Sequence, residues 1–229
     1  MPSIDQQRVP DPAIPPLDGV CHLFVTRRKG LVLTTYNNSS GAILDERHVL
    51  TAAHNVHSTR LSEVRSIEVS VGRTRVDGAA TVRVVDQRVA SQYGWRKFAH
   101  DYAVLRLAAP VAVPEPFGLP SASLEPAVSQ VRIAGYPGAS GGERDGKHMF
   151  AATGPGRRAP EGPFLDYDID TETGNSGGPV WIEQDGTHPV IVGVHVSELQ
   201  GTSGRARYCD PEMVHAVRAM IAELEAAGR

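Results

Sequence analysis

The segment best suited to chemistry is TGNSGGPV, Thr173 to Val180, in which Ser176 sits between Gly174 and the pair Gly177 and Gly178. Glycines there permit a tight turn whose backbone N–H groups face one point in space, and small neighbours let a substrate backbone come close. The amides of Gly174 and Ser176 are the two that such a turn would offer to an oxyanion. A serine hydroxyl is a weak nucleophile until a base takes its proton. His54, in SSGAILDERHVLTAAHNV, follows an apolar run and a small-residue turn, and suits that task. Asp101, in AHDYAVLRL, stands at the mouth of an alternating strand, where a carboxylate can accept from an imidazole N–H and fix its tautomer. Each feature alone is ordinary: a Gly/Ser/Pro turn, a lone histidine, an Asp opening a strand. Together they imply acyl transfer, with Ser176 attacking, His54 as general base and Asp101 orienting that base.

The elements that must carry these residues read as short strands. Apolar or alternating runs fall at Val20 to Thr26, Leu31 to Tyr36, Gly41 to Leu44, Ile67 to Gly72, Thr81 to Val89 and Tyr102 to Leu107. A second set covers Gln130 to Ala134, Met149 to Thr153, Phe164 to Asp170, Pro179 to Glu183 and Pro189 to Val196. Between them lies AAPVAVPEPFGLPSASLEP, proline-rich and without periodicity. The expected fold class is all-β: two six-stranded antiparallel β-barrels closed by a C-terminal α-helix. That helix is signalled by Asp210 as N-cap, Pro211 at the first position and Met213, Val217, Met220, Ile221 and Leu224 at helical spacing. The expected organisation is a Pro-rich arm over 1–18, a first barrel over 19–112 with His54 and Asp101, a linker over 113–120, a second barrel over 121–209 with Ser176, and the helix over 210–229.

Bulk properties remove several classes. A formal charge of −3 and no run of Lys or Arg give no footprint for nucleic acid. No stretch approaches the ~18 apolar residues of a membrane helix. The N-terminus lacks the basic-then-apolar pattern of a secretory signal, so the chain as it stands reads as cytoplasmic, or as secreted if it was trimmed from a longer one. Cys21 and Cys209 are far apart in sequence and read as two buried thiols rather than a bridge. His22, His48, His57, His100, His148, His188 and His215 lack paired metal spacing, so no metal is expected. GASGG at Gly138 to Gly142 lacks the Lys-Ser/Thr ending of a phosphate loop and reads as a surface turn; no cofactor is implied.

LTAAH around His54, HDYAVL around Asp101 and GNSGGPV around Ser176 resemble the three catalytic segments of chymotrypsin-fold serine proteases. Within that clan IAGYPG (Ile133 to Gly138), YDIDTETGNSGGPV (Tyr167 to Val180) and VGVHV (Val192 to Val196) are similar to the bacterial glutamyl endopeptidases, the staphylococcal V8-like group. The resemblance implies a protein or peptide substrate. It also implies a pocket for the P1 side chain built from Asp170, Thr171, Thr173, His195, Val196, Ser197 and Glu198. In the V8-like group His and Thr at the places of His195 and Thr171 help bind an acidic P1 group. Asp170 falls where trypsin holds the carboxylate that attracts Arg or Lys, and Glu198 departs from the small residues usual there, so acidic and basic preferences both stand. Asn175 replaces the Asp that binds a newly cut amino terminus in trypsin-like zymogens, so that ion pair is not available for activation. An intracellular protease would need restraint, by the Pro-rich arm or a regulatory protein partner. A non-catalytic double barrel that binds peptides in the same cleft is the reading from another class.

Overall fold

The computed structural model describes residues 4–30, 33–71, 81–94, 97–121, 130–138, 144–183, 188–199 and 203–228. The arm contributes β1 (Gln7–Arg8) and a 3-10 turn at Leu17–Gly19, and then the first barrel begins. It is made of β2 (Val20–Lys29), β3 (Leu33–Ile43), β4 (His48–Thr51), β5 (Ser62–Val71), β6 (Thr81–Val89) and β7 (Ala103–Leu107). They close in the order β2-β3-β4-β7-β6-β5, with every pair antiparallel. Leu23 and Val25 of β2, Val49 of β4, Val69 of β5 and Leu105 and Leu107 of β7 point inward into one apolar cluster, as the alternation of each strand dictates. Leu31 to Tyr36 and Gly41 to Leu44, two runs in the sequence, fall largely on one long strand, β3, because Asn37 to Ser40 keep the ladder to β2 unbroken. Leu31, Val32 and Gly72 lie outside the described residues.

The second half holds β8 (Val131–Gly135), β9 (Phe150–Gly154), β10 (Gly156–Arg158), β11 (Phe164–Tyr167), β12 (Pro179–Ile182), β13 (Val190–Leu199) and β14 (Ser203–Tyr208). With β1 they form an eight-stranded sheet in the order β1-β9-β8-β12-β13-β14-β11-β10. β9, next to the end strand β1, runs directly into β10 at the opposite end. Pro155, which has no N–H to give a ladder, is all that separates β9 from β10. Counted as one bent strand, β9 and β10 complete a six-stranded ring, and β1 is an extra strand on β9. The arm is therefore not a free lead.

β14, SGRARY, lies outside the strands read from sequence, although Gly204, Ala206 and Tyr208 alternate with Ser203, Arg205 and Arg207. Ala206 and Tyr208 join an apolar cluster, and Arg207, 2% exposed, is accommodated by donating to Ala99 O and the Asp210 carboxylate. α2 (Pro211–Ala227) is the expected helix, with Asp210 accepting from the Met213 amide at 2.8 Å. It follows the second half yet packs on the first, burying Met213, Val217, Met220 and Leu224 in the largest apolar cluster. That cluster takes Leu50 and Val104 from one barrel and Ala134, Trp181 and Val194 from the other. Phe117, within the stretch read as linker, is buried there edge-on to Trp181. Cys21 and Cys209 are both buried free thiols. No described helix is long and apolar enough to cross a membrane.

Candidate active site

β4 ends at Thr51 and runs into a single helical turn, α1 (Ala53–Val56), which carries His54. Four residues make no stable helix alone. The turn is held by Arg27, whose guanidinium crosses from β2 to donate to the carbonyls of His54 (3.1 Å), Asn55 (2.6 Å) and His57 (3.1 Å). Asp101 lies just before β7, which pairs with β4, so ordinary strand register brings the two residues together. Asp101 is 1% exposed and grips His54 twice: Oδ1 accepts from the His54 amide at 2.9 Å and Oδ2 from Nδ1 at 2.7 Å. With its proton on Nδ1, the neutral ring leaves Nε2 as a bare acceptor. His54 lines a cleft of about 570 Å³ together with Ser176, Gly174, Thr173 and Val196.

The turn holding Ser176 has two residues in the left-handed region, Gly174 (φ +106°) and Gly177 (φ +85°). A β-carbon on Gly174 would stand 2.2 Å from Tyr136 O, and one on Gly177 2.1 Å from Thr51 Oγ1. Thr173 O accepts from the Gly138 amide (2.8 Å) and Asn175 O from the Gly178 amide (2.9 Å), both on the protein side. A trans peptide sends its N–H opposite to its C=O, so the amides of Gly174 and Ser176 are turned away from those bonds, toward the cleft. The first barrel holds the turn in place. Ser40 Oγ donates to Gly174 O at 2.7 Å, Ser40 N to Ser176 O at 2.9 Å, and Asn55 Nδ2 to Ser176 O at 2.8 Å.

Of the residues read as a P1 pocket, Thr173 and Val196 line the cleft. Thr171 is 4% exposed, and its Oγ1 has no hydrogen-bond partner among the described residues. His195 is buried, and its Nδ1 pairs with the Tyr167 hydroxyl. Burial first, and a charge on His54 second, push the His195 pKa down to about 3, so its ring is neutral at ordinary pH. A bulge between His195 and Ser197 shifts the register before Glu198. Burial, then the charges of Asp170 and Glu172, hold the Glu198 carboxyl above its usual range, so the three carboxylates share one neighbourhood. Residues 139–143, most of the stretch read as a surface turn, and residues 200–202 lie outside the described residues. Sequence reading missed Arg27, Ser40, Asn55 and Tyr167. None of them stands out in the sequence: Arg27 is simply the first of three cations, Arg27 to Lys29, that end β2.

The trypsin-like peptidase domain family matches residues 39–194. A comparison with curated protein sequences returns no match. Among solved structures, a Glu endopeptidase in complex with MPD is 21% identical, with a TM-score of 0.75 over 96% of each chain. HL collagenase is 16% identical, with a TM-score of 0.75 over 94% of this chain and 97% of its own. An inactivated protease paralogue of the scabies mite is 19% identical, with a TM-score of 0.69 over 90% and 96%. These likenesses establish the fold.

Proposed function

Because the chain belongs to the trypsin-like peptidase family, we propose that it is a serine endopeptidase in which Ser176, His54 and Asp101 form the catalytic triad. The observation that carries this reading is the 2.7 Å bond from His54 Nδ1 to Asp101, on a histidine that shares its cleft with Ser176. Ser176 Oγ attacks the peptide carbonyl while its proton passes to His54 Nε2, and the carbonyl oxygen becomes an anion facing the amides of Gly174 and Ser176. The tetrahedral adduct collapses as His54 gives the proton to the leaving amine. Water repeats the sequence on the acyl-enzyme, and Asp101 stabilises each transient imidazolium. No metal or cofactor enters any step.

For the P1 side chain, the charge balance favours Arg or Lys over Glu. A neutral His195 offers no positive charge to an acidic side chain, and Asp170 and Glu198 repel one. A cation placed near them would draw Glu198 back toward its ionised form.

The test is cleavage of a mixed peptide library by the purified chain and by Ser176→Ala, with fragments read by mass spectrometry. Cleavage after Arg and Lys, absent in Ser176→Ala, is the expected result. Clustering after Glu would overturn the P1 assignment and restore the acidic preference. Equal cleavage by both proteins would overturn Ser176 as nucleophile, and no cleavage by a folded chain would favour the peptide-binding reading.

A further inference from the structure

Asn175, the residue before the nucleophile, is fully buried, and its side chain is committed in two directions. Oδ1 accepts from the Glu172 amide at 3.1 Å, which closes the turn, and Nδ2 donates to Oε1 of Gln6 at 3.2 Å. The Glu172 amide can only donate, so Asn175 must turn its oxygen there and its nitrogen toward Gln6, which in turn must present oxygen. Gln6 comes from the arm and is 2% exposed, flanked by exposed Asp5 and Gln7. Its Nε2 is buried without a partner among the described residues, an arrangement that costs free energy and needs a reason to persist.

The arm is pinned to hold it there. Ile4 N donates to Asp168 O (2.9 Å), Asp170 N to Ile4 O (2.8 Å) and Val9 N to Met149 O (2.8 Å). Arg144 adds a second tie: its guanidinium pairs with the carboxylates of both Asp5 and Glu172 and donates to Gln6 O at 3.3 Å. The 172–175 turn is thus fastened to the arm at each end, at Glu172 through Arg144 and at Asn175 through Gln6. No described residue of the arm lines the cleft.

We propose that Gln6 is a positioning residue for the oxyanion pocket: the arm docks behind the nucleophile turn and holds the peptides that aim the Gly174 and Ser176 amides into the cleft. This rests on the serine endopeptidase reading. The neutral contact between two amides stands where Asn175 forgoes an ion pair. It also gives the arm the opposite sense from a plug, since its release lowers activity instead of raising it.

The experiment uses the full chain with Gln6→Met, which keeps side-chain length but removes the acceptor. It measures kcat, KM and affinity for a peptidyl boronic acid, whose tetrahedral adduct with Ser176 presents an oxygen to the same two amides. The expected result is a fall of about tenfold in kcat and in boronate affinity, with KM changed less than about twofold. Leu224→Ala, remote from the turn, lowers the melting temperature without that split and controls for stability. Arg144→Met, at the more exposed tie, reports the same effect at smaller size if Gln6→Met does not fold. Unchanged kcat and boronate affinity in folded Gln6→Met, or in folded Arg144→Met where that variant stands in, overturns the proposal. A wild-type chain that neither cleaves nor binds the boronate removes the endopeptidase reading itself, and the role of Gln6 with it.

Discussion

The two halves of the cleft are built by different means. His54 and Asp101 belong to a closed barrel, and neighbouring strands β4 and β7 bring them together. Ser176 sits on an irregular turn that owes its shape to Gly174, Gly177 and partners borrowed from elsewhere: Ser40 and Asn55 from the first barrel, Gln6 from the arm. The His54 site is built within one barrel and the Ser176 turn across the interface. Damage to the first should therefore come from residues of its own barrel, Arg27 and Asp101 among them, whereas the second should be sensitive to substitutions in the other barrel and the arm.

Asp101→Asn tests the half built within one barrel. Losing the carboxylate leaves the ring in the wrong tautomer with its charge unsupported, and a fall in kcat of about 10⁴-fold is expected, as the triad precedent indicates. Steady-state kinetics would measure it, and a loss under tenfold would show that Asp101 does not orient the base. Next in size is Gly174→Ala, where the added methyl meets Tyr136 O and the backbone must leave its left-handed conformation. Displacing one oxyanion donor is expected to lower kcat by about 100-fold or more, and near-normal kcat would mean the amide of residue 174 is not used.

Ser40→Ala sharpens the contrast, because Ser40 belongs to the first barrel but serves the second. It strands Gly174 O and the Tyr136 amide, which donates to Ser40 Oγ at 2.9 Å. The expected cost is about 1–3 kcal/mol of stability by denaturant titration, with a larger fractional loss in kcat than in substrate affinity. A stability loss with unchanged kcat would break the claim that the turn is held from across the interface.

The last contrast is in acid sensitivity. His195 is held neutral in the folded chain down to about pH 3 but takes a proton near its ordinary value of 6.5 when unfolded. The unfolded state thus binds more protons between those limits, and stability contributed by His195 is lost as pH falls from about 6.5 toward 3. Melting temperatures across that window, for the wild type and His195→Phe, would show the slope reduced in the variant. An equal slope would mean other groups carry the acid sensitivity.

Where local pattern governs, the sequence was informative. Thr81 to Val89 is found as read, α2 begins at its N-cap, and His54 and Ser176 line one cleft, with Asp101 bonded to the far side of the His54 ring. What periodicity does not encode is partnership between distant polar groups. The arginines of SGRARY mask a weak alternation until Arg207 finds Ala99 O and Asp210, and Gln6 looks like any arm residue until Asn175 is beside it. The second barrel was legible as strands, but not the joint at Pro155 that lets one of them serve both edges. The charge around the residues read as a P1 pocket was legible only in part, because the neutrality of His195 depends on burial that no motif states.

The two ends of the chain lie on opposite halves from those they adjoin in sequence. The arm is a strand of the second sheet, while α2 lies on the first barrel and sets Glu223 and Glu225 against Arg88, His48 and Arg106. As the chain emerges from a ribosome, the strands of the first barrel are complete long before α2 arrives to cover it, and the arm waits for β9. Contacts of such sequence separation form late and slowly. The two halves are therefore laced together only late in synthesis.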